Sequence, residues 1–286
     1  MEMLSPADLN FFDDNGYILV RNVVPPENIR AVVDAIHEFL DLSRTKDDSW
    51  YQPLIKPDGM VEMYQHQALW ENRQHPNIYN VYRQLIRRDD LWVSLYRVGF
   101  KPPPDPRFPQ FQNAGFMHLD ADPYAGPIPF GLQGVLYLTD TTADQGGFHC
   151  MPGWHKRTEE WMKLAQKLTG EPKANAVRGK LLGDLPDRTP IAGKAGDLVI
   201  WHFGLPHGNG WNTSDRPRLA QYIRMGPAED IHSAHAAERV KTWREHSGPI
   251  DRPYFHGDPR GWELKNLRTA KLTELGEKLL GLKAWS

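Results

Sequence analysis

The chain is 286 residues long, with 40% hydrophobic and 24% charged residues and a formal net charge of -2. That profile fits a folded globular protein and excludes a disordered one, and no basic excess supplies a field to gather nucleic acid or an anionic membrane. A single cysteine, Cys150, excludes an intrachain disulfide and a thiolate zinc cluster. No run of ~18 apolar residues offers a membrane span. The acidic start MEMLSPADLN lacks an apolar signal core, which makes the cytoplasm the expected compartment.

In chain order, Ser5-Pro6-Ala7-Asp8 predicts a capped helix start with proline in the first turn. Leu9, Phe11 and Phe12 give that helix its apolar face, Asn15-Gly16 stops it, and Tyr17-Ile18-Leu19-Val20 reads as a short strand. Pro26 opens a stronger helix, with Ile29, Val32, Val33, Ile36 and Leu40 at helical spacing. A third amphipathic stretch, around Ile78, Val81, Tyr82 and Leu85, ends near Arg87-Arg88-Asp89-Asp90. From residue 92 the texture changes to short β-rich runs, at 92–98, 132–139, 148–151, 197–202 and 219–225. Lys101-Pro102-Pro103-Pro104, Asp144-Gln145-Gly146-Gly147 and Pro152-Gly153 punctuate them. Helix returns after Pro227, and Leu272 to Leu282 forms a last amphipathic segment.

This pattern predicts a mainly β protein with flanking α structure, a sandwich or jelly-roll core with helices packed on the outside. Neither a repeat nor a flexible linker interrupts the chain, so one domain is expected over 1–286. Its parts are a helical support over 1–90, a core over about 91–226 and a helical extension over 227–286. Lid, dimer contact and plain support are all open readings of that extension.

Of the twelve histidines, most carry no chemical signal: His37 sits in a helix, and His232, His235, His246 and His256 lie in a polar region. Phe116-Met117-His118-Leu119-Asp120 differs, because in a strand His118 and Asp120 point to the same face and form two vertices of a metal site. A facial triad needs one more histidine from a distant strand. His207 in Gly204-Leu205-Pro206-His207-Gly208-Asn209-Gly210 is the candidate, while its rival His202 lies within the preceding strand and reads as packing. Two histidines and one carboxylate leave three octahedral positions open, which suits Fe(II), a bidentate co-substrate and O2 rather than a closed zinc site. Eleven residues beyond His207, Arg218 offers a planar fork for a carboxylate, as a 2-oxoglutarate-using oxygenase requires.

Four ordered segments carry a resemblance: 116–122 around His118 and Asp120, 146–156 (GGFHCMPGWHK), 195–202 (AGDLVIWH) and 207–218 (HGNGWNTSDRPR). With the opening helix and Asn15-Gly16-Tyr17, the chain resembles the phytanoyl-CoA dioxygenase family of Fe(II)/2-oxoglutarate oxygenases from about residue 5 to 226. The resemblance implies a double-stranded β-helix (jelly-roll, cupin-like) core, with His118, Asp120 and His207 as iron ligands. It also implies Arg218 as the partner of the co-substrate's distal carboxylate. Asn209 stands where the family often has a hydroxyl residue touching that carboxylate, and Arg97 matches a position that contacts the co-substrate in some members. Gln133, Val135, Tyr137 and Thr139 share a strand face that points inward if Val135 lines the co-substrate, making Gln133 and Thr139 further candidates. Arg216 is the alternative to Arg218 but fits the spacing less well, and His149 and His155 lie in what is a structural turn of the family.

Family members that halogenate replace the carboxylate of the triad, so Asp120 points to hydroxylation or another oxygen-derived outcome. The expected partner is a small-molecule substrate, handled by a monomer or homodimer. Trp201, Phe203, Trp211 and Phe148 flank the motifs and suit an apolar or ring-bearing molecule, or else plain packing. Arg224 shares strand parity with Arg218, positioned for an anionic substrate group or a structural carboxylate. Two other readings stand beside the oxygenase: a cupin-like metal enzyme of another reaction type, and a catalytically silent binding protein.

Overall fold

The computed structural model describes residues 2–112, 116–170, 185, 187–249 and 256–285. Helix α1 (Pro6–Asn15) begins at a capping box, in which Ser5 and Asp8 satisfy each other's backbone N–H, and Gly16 closes it in the left-handed conformation. Strand β1 (Tyr17–Val20) and helix α2 (Pro26–Leu40) follow, then β2 (Met60–Val61), α3 (Gln67–Arg73) and α4 (Pro76–Ile86). The middle of the chain supplies β3 (Leu91–Val93), β4 (Val98–Lys101), β5 (Leu132–Tyr137), β6 (Phe148–Cys150), α5 (Thr158–Thr169) and β7 (Thr189–Pro190). Strands β8 (Leu198–His202), β9 (His207–Asn209), β10 (Arg218–Tyr222) and β11 (Met225–Pro227) precede α6 (Ala234–Arg244), α7 (Trp262–Asn266) and α8 (Glu274–Leu280).

Strands pair into a six-stranded sheet in the order β1-β8-β5-β10-β4-β2, a three-stranded sheet β7-β6-β9 and a two-stranded ribbon β11-β3. All of these pairings are antiparallel. The two larger sheets face each other across a buried layer that includes Val135, Tyr137, Val199, Trp201 and Ala220 from one and Phe148 and Cys150 from the other. Opposite faces carry the remaining apolar surface. The outer side of the large sheet packs with α2, α4 and α8 in the main core, while α5 packs Trp161 and Ala165 into a smaller cluster with Met117, Leu119, Met151 and Trp154. Among the described residues helical ones outnumber strand ones, so the fold is mixed α/β with antiparallel sheets rather than mainly β.

Two of the expected strands are each divided. The 92–98 run becomes β3 and β4, and the 219–225 run becomes β10 and β11, because both chains change partners at the same level. There Ser94 N donates to Arg224 O, Tyr222 N to Arg97 O and Ile223 N to Gly134 O. The last helix packs into the core. Leu279 and Leu280 are fully buried in the main core, and the Arg239 guanidinium donates to the carbonyls of Val93, Leu279 and Leu280. Among the described residues no helix is long and apolar enough to cross a membrane.

Candidate metal centre

His207 opens β9 and is held by its neighbours on every side. Its Nδ1 lies 2.9 Å from the Leu205 carbonyl, so the ring donates there and presents Nε2 to the interior. Phe148 and Trp201 pack on the imidazole, with ring centroids 5.9 and 5.0 Å away. His118 reaches the same spot through an isolated antiparallel bridge, in which its backbone exchanges both hydrogen bonds with His207. Gly208 makes that approach possible, since a Cβ there would stand 1.8 Å from the Phe116 carbonyl oxygen. The sequence places His118 and Asp120 in a regular strand; the structure instead puts Asp120 in a bend just after the bridge.

Each of the three residues offers a ligand atom, and these lie within 4.8 Å of one another. Asp120 bridges the two rings, its Oδ1 3.4 Å from His118 Nε2 and its Oδ2 3.2 Å from His207 Nε2. Ligand bonds of ~2.1 Å to a divalent ion place adjacent octahedral donors about 3 Å apart, so the spacing fits one metal on a shared face. Burial and the adjacent His207 hold the His118 imidazole below its ordinary pKa, leaving it neutral and able to ligate. Burial alone would raise the Asp120 carboxyl, but His207 and His118 outweigh it and hold the group well below the usual carboxylate range. The Gln133 amide donates to Asp120 Oδ2 and fixes the carboxylate's orientation.

A second group lies two residues further along β9. Asn209 shares the strand face of His207, a stride of ~7 Å, and its Oδ1 accepts from Arg218 Nη2 at 2.5 Å. Arg218 is 2% exposed, its Nη1 is 3.5 Å from the Tyr222 hydroxyl, and its buried Nε has no hydrogen-bond partner. No described carboxylate pairs with it. Lys101, paired in register with Arg218, is the residue missed by reading KPPP only as punctuation. The parity of Gly99 and Lys101 opposite Ala220 and Arg218 carries the signal that would have found it.

Other candidates fall elsewhere. Arg97 is buried against Glu62, with Nη1 2.5 Å from Oε1, so it serves the join between β2 and β4. Thr139 lies beyond the end of β5 and accepts from Leu219 N, which secures the start of β10 rather than the metal centre. Arg216 is exposed and reaches Gln145. His202 accepts from Gly204 N and packs with Phe130 and His155, while His155 lies 3.2 Å from the Asp13 carbonyl. Arg224 stacks over Phe203 at 4.5 Å and borders a cleft of about 320 Å³ whose lining includes Trp92, Tyr96 and His235.

An antiparallel scaffold holding a two-histidine, one-carboxylate face and a buried guanidinium defines the iron- and 2-oxoglutarate-dependent dioxygenase class. The chain belongs to the phytanoyl-CoA dioxygenase (PhyH) family, whose model matches residues 12–220. It is 25% identical to the "Putative phytanoyl-CoA dioxygenase" of Dictyostelium discoideum over 288 residues, covering 84% of this chain and 81% of the relative. Among solved structures, the "Putative Oxidoreductase" of Salmonella typhimurium LT2 superposes with a TM-score of 0.71 at 16% identity, over 97% of this chain and 83% of that one. EvdO2 of Micromonospora carbonacea var. aurantiaca, solved with 2-oxoglutarate, gives a TM-score of 0.52 at 17% identity, over 80% and 95%.

Proposed function

We propose that the chain binds Fe(II) and 2-oxoglutarate and hydroxylates an unactivated C–H bond of a small organic molecule, releasing succinate and CO2. The observation that carries this reading is Arg218, a buried guanidinium without a carboxylate partner among the described residues, which donates to Asn209, two residues along β9 from His207. The facing sheets with helices outside suit a double-stranded β-helix, and the match to a structure solved with 2-oxoglutarate supports the co-substrate.

Iron, when bound, supplies the redox chemistry that activates dioxygen at the C–H bond. His118, Asp120 and His207 would hold it on one face and leave the opposite face to ligands that exchange. Gln133 keeps one oxygen of Asp120 engaged, and the Leu205 carbonyl fixes the His207 tautomer. Arg218 and Asn209 orient the far carboxylate, while Phe148 and Trp201 exclude water beside His207. The presence of Asp120 supports hydroxylation over halide transfer. His118 and Asp120 keep 24% and 34% of their side-chain surface exposed, and that open side is where the substrate enters.

The test is an anaerobic titration of apo-protein with Fe(II) and then 2-oxoglutarate, read as the weak visible charge-transfer band of the chelate. The band should appear in the wild type, vanish in His118→Ala, and need about 100-fold more 2-oxoglutarate in Arg218→Met, a loss of ~3 kcal/mol for an unpaired charge contact. Metal binding without a band would transfer the chain to the cupin-like reading, and no metal binding would make it a binding protein.

A further inference from the structure

The charge around Arg218 is the feature that the triad does not explain. Lys101 is its register partner on β4, is 2% exposed, and donates from Nζ to the Gly210 carbonyl at 2.5 Å. Both side chains leave the same sheet face, so two cations stand side by side in a buried layer. Like charges directly opposite one another across a strand pair are destabilising. Around them, β6 contributes His149 and the segment before β7 contributes Arg188, whose Nε is 3.2 Å from His149 Nδ1. Tyr137 and Tyr222 face Arg218 from β5 and β10, and among the described residues the exposed Asp58 of the turn before β2 acts on Lys101 as an acid.

Resting on the 2-oxoglutarate reading above, we propose that Lys101 is a second binding residue for the distal carboxylate, which bridges Lys101 and Arg218 and neutralises their repulsion. Gly210 is what allows the arrangement, because a Cβ there would lie 2.3 Å from His149 Nε2 and push the carbonyl that holds Lys101 out of place. The surroundings also give the contact a pH dependence. Burial first, then Arg218 and Arg188, hold the Lys101 ammonium down to about 7, with Asp58 opposing. Burial first, then Arg188, push His149 down to about 4, so that it stays neutral through the same range. An anion favours the protonated lysine, so binding takes up a proton once the pH exceeds the free enzyme's value. Affinity for 2-oxoglutarate therefore falls with rising pH above about 7.

The experiment measures anaerobic dissociation constants on the Fe(II)-loaded full chain with two ligands, 2-oxoglutarate and 2-oxobutyrate, which lacks the far carboxylate. Lys101→Met should weaken 2-oxoglutarate by at least tenfold at pH 6.5 and leave 2-oxobutyrate within twofold. It should also remove the wild type's loss of 2-oxoglutarate affinity between pH 6.5 and 9. Equal weakening of both ligands would assign Lys101 a structural role and overturn the inference, as would an unchanged 2-oxoglutarate constant. A wild type that binds no 2-oxoglutarate would overturn the functional reading itself. Thermal unfolding of the apo variant confirms that it folds, and its midpoint should stand at or above the wild type's because the repulsion is gone.

Discussion

A metal site of three protein ligands depends on groups that touch no metal. Gln133 is the clearest here, because its amide donates to the Asp120 oxygen that faces His207. Gln133→Leu keeps the volume and removes the donor, so Asp120 gains freedom to rotate out of the shared face. Fe(II) affinity should fall by about 10- to 100-fold, the usual cost of losing such an orienting partner. An anaerobic competition against a calibrated chelator reads this directly, and an unchanged constant would show that the bend around Asp120 orients the carboxylate unaided. The sequence shows His118, Asp120, His207 and Arg218 by residue type and spacing. It hides the Asp120–Gln133 contact because the chain between them is irregular and no periodicity links the two residues. Arg97 comes from the resemblance alone, and its ion pair with Glu62 is a contact that no spacing in the sequence shows.

Glu62 also shows how an element is fastened. Just after β2 it accepts from Arg97 and Lys56 at 2.5 Å each, from the Tyr64 hydroxyl, and from the backbone N–H groups of His256 and Gly257. Burial would raise this carboxyl, yet Lys56, Tyr64 and Arg97 together bring it below the ordinary value. A carboxyl depressed in the folded state stabilises fully above its unfolded pKa of ~4.3, and that stability is lost as pH falls through the folded value. Glu62→Gln should therefore cost about 3 kcal/mol near pH 7 and flatten the acid limb of the stability curve below pH 5. Urea melts at several pH values test it; parallel curves for the two proteins would sink the idea. Helix α8 makes a second case at this scale. Its amphipathic pattern is legible, but only the burial of Leu279 and Leu280 shows that it belongs to the main core. Leu279→Ala should cost about 2–5 kcal/mol in chemical denaturation, as for other fully buried leucines, where a surface lid would lose a few tenths. The short strand β9 and helices α3 and α5 are not legible in the sequence: three residues with glycine at the centre give no period, and α5 buries only Trp161 and Ala165.

On the scale of the whole molecule, the site sits between sheets whose cohesion it works against. The buried Arg218 and the neighbouring Lys101 are charges held out of water, each costly unless compensated, and the Asp120 carboxylate, partly open to solvent, packs between two imidazoles. A divalent metal compensates the Asp120 side, and a dicarboxylate compensates the cations, so the two ligands relieve opposite local charge imbalances of adjoining groups. Their binding should then be coupled through the fold: Fe(II) alone and 2-oxoglutarate alone each give a small rise in the unfolding midpoint, and together they exceed the sum. At ~100 times the dissociation constant a single ligand contributes about 2.7 kcal/mol, which in a chain of this size raises the midpoint by several degrees. Anaerobic scanning calorimetry with each ligand, both, and both plus a chelator measures the coupling. Chelation should return the doubly loaded protein close to its 2-oxoglutarate-only midpoint. Strict additivity would mean that the triad and the Arg218 pocket act as independent sites, because the metal would then add nothing to how the dicarboxylate is held.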